Sequence, residues 1–222
     1  MNLRLMNYVE DTRRKVDSLS GGKIAYVYLP NTANGGYDFF NRYFFSQLDK
    51  QAVIADDRNN LGGYAADYIV DLLGRNTVMY SNKRDGKPFS IPNAVINGPK
   101  VMLTNSHSLS GGDLMPYMFR AKKIGKLVGT TTLGILVGNA GNPDLMDGGH
   151  VTAPNIGIFG TEEQWIIENK GVAPDVEVEN YPKDLIRGRD TQLEKAIELI
   201  LKDMKPVKEV QQPADPIRVA NY

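Results

Sequence analysis

Apolar residues along this chain fall into short runs separated by polar, glycine-bearing turns, and the runs alternate between two lengths. Residues 23–29 (Lys-Ile-Ala-Tyr-Val-Tyr-Leu) are a β-rich run closed by Pro30, and residues 37–48, dense in Phe and Tyr, have the bulk of a buried helix. The unit recurs. Residues 52–55 read as a short apolar strand, 56–63 as a polar glycine turn, and 64–73 as a helix ended by Gly74. A third unit follows with a strand at 100–104 and a helix at 111–122, and residues 126–129 are apolar again. Upstream of all three, Leu3, Met6, Val9 and Val16 alternate with charges as an amphipathic helix that stops at 18–22.

Strands separated by helices of this length predict an α/β fold with a mainly parallel sheet, in which ligands bind at the strand C-terminal ends. The loops at 56–63 and 105–111 would emerge there side by side. Beyond Gly129 the pattern changes to Thr, Gly and short apolar alternation through Phe159, then Trp165, Ile166, Ile167 and Glu168. That change predicts added antiparallel strands. Asp190 can cap a helix over 191–204 whose inner face carries Leu193, Ile197, Ile200 and Leu201. The expected organisation is a connector helix over 1–20, one core domain over 21–205 and a loose, proline-bearing tail over 206–222.

Composition narrows the partners. With 222 residues, 41% of them hydrophobic, the chain can build one large core. Its 26 basic and 26 acidic residues cancel, which argues against a nucleic-acid groove or an anionic membrane surface. No apolar run reaches the ~20 residues of a membrane span. The N-terminus, charged at Arg4, Glu10, Asp11, Arg13 and Arg14, lacks a signal-peptide core. The absence of cysteine removes disulfides and thiolate chemistry and suits cytoplasm or periplasm, the cytoplasm being the expectation.

The candidate chemistry lies in the third unit. A strand that runs through Asn105-Ser106-His107-Ser108-Leu109-Ser110-Gly111-Gly112 into a helix displays Ser110 where the first helical N–H groups point at any oxyanion beside it. Two readings stand for Ser110: nucleophile or plain helix cap. Gly62 and Gly63 would let a substrate carbonyl approach backbone N–H groups, or simply make a tight turn. The only imidazoles are His107, three residues from Ser110 in the same turn, and His150, beside Asp147-Gly148-Gly149; neither is placed to serve as base. Glu168, ending an apolar run, could orient a base or be merely solvated. No metal-ligand spacing is present, so neither metal nor organic cofactor is expected.

Taken together these segments resemble the tricorn branch of the tail-specific (C-terminal processing) serine peptidase family. The resemblance runs from about residue 21 to 204. It is carried by Gly-Lys-Ile-Ala-Tyr-Val-Tyr-Leu-Pro at 22–30, Asn-Asn-Leu-Gly-Gly at 59–63, Ser-Gly-Gly-Asp at 110–113, Leu-Val-Gly-Asn at 136–139, Glu-Asn-Lys-Gly-Val-Ala-Pro-Asp at 168–175 and Gly-Arg-Asp-Thr-Gln-Leu-Glu-Lys-Ala at 188–196. It implies a crotonase-like/ClpP-like ββα spiral core, peptide or unfolded polypeptide substrates, and a homo-oligomer formed through the full-length parent. By position it places the nucleophile on Ser110 and the oxyanion donors on the amides of Gly63 and Gly111, with Gly62 and Gly112 as substrate-binding candidates beside them. The base-orienting carboxylate falls on Glu168.

Two departures qualify it. Processing peptidases of this kind use a lysine base where Ile135 stands here, and Lys122, Lys123 and Lys126 lie at the far end of the nucleophile's helix. The tricorn branch takes its base from a histidine upstream of a PDZ-like module, and neither precedes residue 21 in this chain. The expectation is therefore a fragment of a larger protease, nearly inert alone. The alternative is a non-catalytic peptide-binding or assembly domain on the same scaffold. The acidic specificity residue of the branch falls near Ser81, with Asp85 close by, so preference for cutting after basic residues is not carried over.

Overall fold

The structure is a computed structural model that describes residues 3–83, 86–207, 209–211 and 213. Its elements in chain order are α1 (Leu3–Ser20), β1 (Ile24–Tyr28), α2 (Asn34–Phe45), β2 (Ala52–Asp56), α3 (Ala66–Leu73), β3 (Met79–Ser81), β4 (Phe89–Ile91), β5 (Lys100–Thr104), α4 (Gly111–Ala121), β6 (Lys126–Gly129), β7 (Val176–Glu177), α5 (Pro182–Ile186) and α6 (Thr191–Asp203). Five strands form a wholly parallel sheet in the order β1-β2-β5-β6-β7. Val53 faces Lys100 and Val101 faces Lys126 in its register.

Every residue of β1, β2 and β5 is buried, so both faces of the sheet are covered, as parallel sheets require. Helices α2, α3 and α4 form one layer, with α2 on β1, Phe40 of α2 against Tyr68 of α3, α3 on α4 and α4 on β6. In the other layer, α6 crosses β2, β5 and β6 while α1 packs on α6 and β1. Helix α1, expected as a connector, contributes Val9 and Val16 to the same core as Tyr26, Phe40, Phe44, Met102 and Phe119. Asp190 caps α6 by accepting from the Leu193 N–H at 3.0 Å. The expected tail at 206–222 lies mostly outside the described residues, and Asp85 lies outside them.

A buried ionic knot fastens α6 to the sheet. Arg58 grips Asp56 with two hydrogen bonds (2.8 and 2.6 Å) and reaches both oxygens of Asp190 at 2.9 Å, while the Tyr26 hydroxyl donates to Asp56 at 2.7 Å. Burial works against the Asp190 carboxylate, but the Arg58 charge and the donors from Asn180 and Leu193 outweigh it and hold its pKa below the ordinary range.

One expectation is corrected. Among the described residues between β6 and β7 there are no antiparallel strands, only the isolated bridges Gly138–Ile156, Asp144–His150 and Phe159–Trp165. Gly134, Gly141, Gly148 and Gly171 turn the backbone through positive φ, and Pro143, Pro154 and Pro174 supply no N–H, so no ladder can extend. The apolar run at 165–167 is likewise not a strand: Ile167 stands at φ 70°. The antiparallel strands present are the small pair β3–β4. No helix among the described residues is long and apolar enough to cross a membrane.

Candidate active site

The site is built where the C-terminal ends of β2 and β5 turn outward. Their loops are stitched together: Asn59 N–H donates to Asn105 Oδ1 (3.0 Å), Asn105 Nδ2 returns to Asn59 Oδ1 (3.1 Å), Ser108 Oγ donates to the Asp57 carbonyl (2.7 Å) and Leu109 N–H to the Asn60 carbonyl (2.9 Å). The two glycine loops that the sequence places side by side are thereby one rigid unit.

Ser110 occupies the N-cap of α4 with φ 56° and ψ −115°, a conformation unfavourable for a residue with a side chain. The turn is also a capping box, in which the Ser110 side chain faces the Asp113 N–H and the Asp113 carboxylate the Ser110 N–H, so the cap geometry expected of a helix-starting serine is present. The strain is held by two acceptors on one amide: Ser110 N–H donates to the Ile135 carbonyl at 2.7 Å and to Asp113 Oδ2 at 2.8 Å.

The glycines crowd against it. A Cβ on Gly62, which has φ +83°, would stand 2.7 Å from Ser110 Cβ, 3.0 Å from its Oγ and 3.1 Å from the Gly111 amide. A Cβ on Gly111 would run into Thr32 Oγ1 and the backbone of Gly63, and one on Gly63 into the Thr32–Ala33 peptide. The Gly62 N–H is taken by Asn60 Oδ1 (2.8 Å) and its carbonyl by the Thr32 N–H; Gly112 N–H is taken by the Leu109 carbonyl. No hydrogen bond among the described residues uses the amide of Gly63 or of Gly111. Those two donors are what the backbone leaves available beside Ser110 Oγ.

Glu168 is joined to the same centre through one peptide unit. The 135–136 peptide accepts from Ser110 on its carbonyl side and, on its amide side, donates from Leu136 to Glu168 Oε2 at 2.7 Å; Val137 N–H adds a second bond at 2.9 Å. The residues on either side, Ile167 at φ 70° and Asn169 at φ 60°, are held in strained backbone by the turn that aims it. Glu168 also lines a cavity of about 340 Å³ walled by Leu136, Val137, Ile158, Trp165 and Ile166.

The histidines and lysines weighed as bases stand apart from Ser110. His107 faces a separate cleft lined by Tyr8, Asp11 and Asp190, and His150 pairs with Asp144 at 2.9 Å on the surface. Lys122 pairs with Asp71, and Lys126 with Asp203 at 3.8 Å, both at the far end of α4. Ile135, half exposed, stands against the Ser110 turn, its carbonyl accepting from the Ser110 N–H. Among the described residues no group of three or more His, Cys, Asp or Glu is placed to hold a metal.

Three participants escape sequence reasoning. Asp113, fully buried, accepts from Ser110, Gly134 and Ile135. Asp57, also fully buried, accepts from Asn60 Nδ2 at 2.7 Å; burial, together with the nearby Asp56 and Asp113 charges, pushes its pKa well above the usual carboxylate range despite that bond. Thr32, buried, packs its hydroxyl beneath Gly111 and its backbone carbonyl beneath Gly63. Only Asp113 left a trace in the sequence, as the third residue of a helix capped by serine.

Residues 23–178 match peptidase family S41. The tricorn protease of Thermoplasma acidophilum is 32% identical over 203 residues, covering 91% of this chain and 19% of that protein. A tricorn protease homolog of Saccharolobus solfataricus is 35% identical over 199 residues, 89% of this chain and 18% of its own length. The chain thus spans about a fifth of the relatives it matches. The crystal structure of the tricorn protease superposes with a TM-score of 0.83 at 33% identity, covering 88% of this chain and 19% of that one. The photosystem II D1 C-terminal processing protease, at 24% identity and a TM-score of 0.55 over 80% of this chain and 46% of its own, shares the fold. A parallel α/β sheet with a strained serine at a strand-to-helix turn and glycine amides beside it is, in this chain, the structure of a member of peptidase family S41.

Proposed function

We propose that this domain hydrolyses peptide bonds through an acyl-enzyme on Ser110. The observation that carries the reading is the convergence on one hydroxyl of two uncommitted amides, from Gly63 and Gly111, and of a peptide unit shared with Glu168. Ser110 Oγ attacks the substrate carbonyl and passes its proton to a base; the carbonyl oxygen takes up negative charge against the two amides. The leaving amine departs with a proton, and water then cleaves the ester by the same route in reverse. Gly62 and Gly112, whose amides are already used, shape the loop rather than touch substrate.

The base belongs to a histidine outside these 222 residues, oriented by Glu168. Supporting this, no imidazole or unpaired lysine among the described residues lies beside Ser110, and Glu168 spends only one of its oxygens on the backbone. In this reading the 222 residues are the core of a larger tricorn-like protease, and peptides or unfolded polypeptides are its substrates. The crotonase-like spiral, the division at residues 20 and 205 and assembly into a homo-oligomer belong to the same proposal.

The test is reaction of the full-length protein with a serine-directed fluorophosphonate, followed by peptide mapping. Label on Ser110, lost in Ser110→Ala, is the expected result. Label elsewhere, or peptide cleavage that survives Ser110→Ala, rules the assignment out. Peptide binding without label at any serine favours the non-catalytic binding domain, for which the lack of a nearby base is the specific observation.

A further inference from the structure

Asp113 is a carboxylate with no solvent contact, and everything that points at it is a donor. Its Oδ2 accepts from the Ser110 N–H at 2.8 Å and the Ile135 N–H at 3.2 Å, and its Oδ1 from the Gly134 N–H at 2.8 Å. The Thr132 hydroxyl adds a fourth donor, while its Oγ1 accepts from the Val172 N–H at 2.8 Å. A site made of donors alone fits the ionised carboxylate, which has only acceptors. Burial raises its pKa above the usual range, opposed by Thr132 and the three amides.

An ordinary capping residue would serve its own helix. Asp113 does that with Ser110, but its other partners come from 132–135, across the nucleophile turn. That segment carries the Ile135 carbonyl that receives Ser110 and, one atom pair further on, the Leu136 amide that holds Glu168. Gly134 in turn receives the Asn169 N–H on its carbonyl at 2.8 Å, closing the loop back to Glu168. One buried group therefore indexes both halves of the site against each other.

We propose that Asp113 is the positioning residue of this site: its carboxylate fixes Ser110 in its positive-φ turn and locks the 134–136 segment, and with it Glu168, onto the nucleophile. The role rests on the reading of Ser110 as nucleophile. Asp113 touches no substrate and transfers no proton; it acts through Ser110 and through the 135–136 peptide.

Asp113→Asn keeps the shape and reverses the polarity of one oxygen, so either Gly134 or the Ser110–Ile135 pair faces a second donor. Two readouts separate positioning from mere stability. The first is the rate at which Ser110 of the full-length protein reacts with a fluorophosphonate, at a temperature where each variant is folded. Asp113→Asn is expected to slow labelling about 100-fold, the cost of a misplacement near 1 Å. Val16→Ala, a core truncation on α1, is expected to lower the melting temperature and leave the rate unchanged. The second is a crystal structure of Asp113→Asn, expected to show Ser110 out of its positive-φ turn and its bond to the Ile135 carbonyl broken. Labelling within about twofold of the unmutated rate, an equal slowing in Val16→Ala, or an unaltered turn overturns the role. If the unmutated protein is not labelled at Ser110, the peptidase reading fails, and the crystal structure still decides what Asp113 holds.

Discussion

Gly62 shows what a single missing Cβ does here. Its φ of +83° costs an L-residue about 1 kcal/mol. A Cβ would also press on Ser110 Cβ at 2.7 Å and enter the space shared by Ser110 Oγ and the Gly111 amide. Gly21, at φ +61°, has nothing within 4 Å of its own Cβ position and isolates the conformational cost. Gly21→Ala should therefore lower stability by about 1 kcal/mol in urea unfolding and leave serine labelling untouched. Gly62→Ala should cost roughly 2–4 kcal/mol, the overpacking added to the strain, and suppress labelling of Ser110 even where the protein is folded. Equal labelling of the two variants would mean that Gly62 is only a turn residue. At this scale the serine was legible, because a strand, a small-residue turn and a helix are local; Asp113 was not, because the donors at 134 and 135 lie more than twenty residues downstream of it.

Elements buried on both sides declare themselves. The strands Ala52–Asp56 and Lys100–Thr104 are continuous apolar runs after their first residue or before their last, and their limits in the structure fall within one residue of the expected ones. Residues 130–175 do not, because their conformation is set by distant partners: the Gly171 Cβ position is filled by the Thr132 carbonyl, and that of Gly134 by the Gly171 amide. A short-range pattern cannot encode such contacts. The strand β5 also carries an exception that the alternation hides. Lys100 begins it in the central part of the sheet, buried, with the Gly98 carbonyl at 3.3 Å as the acceptor for its ammonium group. Burial lowers its pKa from 10.5 to about 8. Between about pH 8 and 10.5 the unfolded chain holds a proton that the folded chain has released, so this residue makes stability rise with pH across that window, and below it the charged form is a standing cost. Lys100→Met should raise the melting temperature at pH 7 and remove that rise; a variant no more stable at pH 7 than the unmutated chain would mean that the ammonium is better solvated than its surroundings suggest.

Across the described residues, the histidines and the lysines nearest to α4 stand away from Ser110. His107 lines a cleft with Asn59, Asn105 and Asp190, His150 sits in the distal bridge with Asp144, and Lys122 and Lys126, past the far end of α4, pair with Asp71 and Asp203. Yet Glu168 holds one oxygen clear of backbone donors, beside a cavity of about 340 Å³ with Leu136, Val137 and Trp165 for walls, space enough for a planar heterocycle. If the base comes from outside these residues, as proposed, it can be supplied from solution. Free imidazole should accelerate ester hydrolysis by the 222-residue chain in a saturable way, restoring part of the roughly 10²–10⁴-fold that a positioned base contributes. The effect should grow with pH through the imidazole ionisation, near 6.5, because only the neutral ring accepts the serine proton. Glu168→Gln should abolish saturation, since the carboxylate orients the added ring. Rescue that is linear in imidazole, or equal in Glu168→Gln, would mean that the ring reacts in bulk solvent and that the cavity beside Glu168 is not where the missing base belongs.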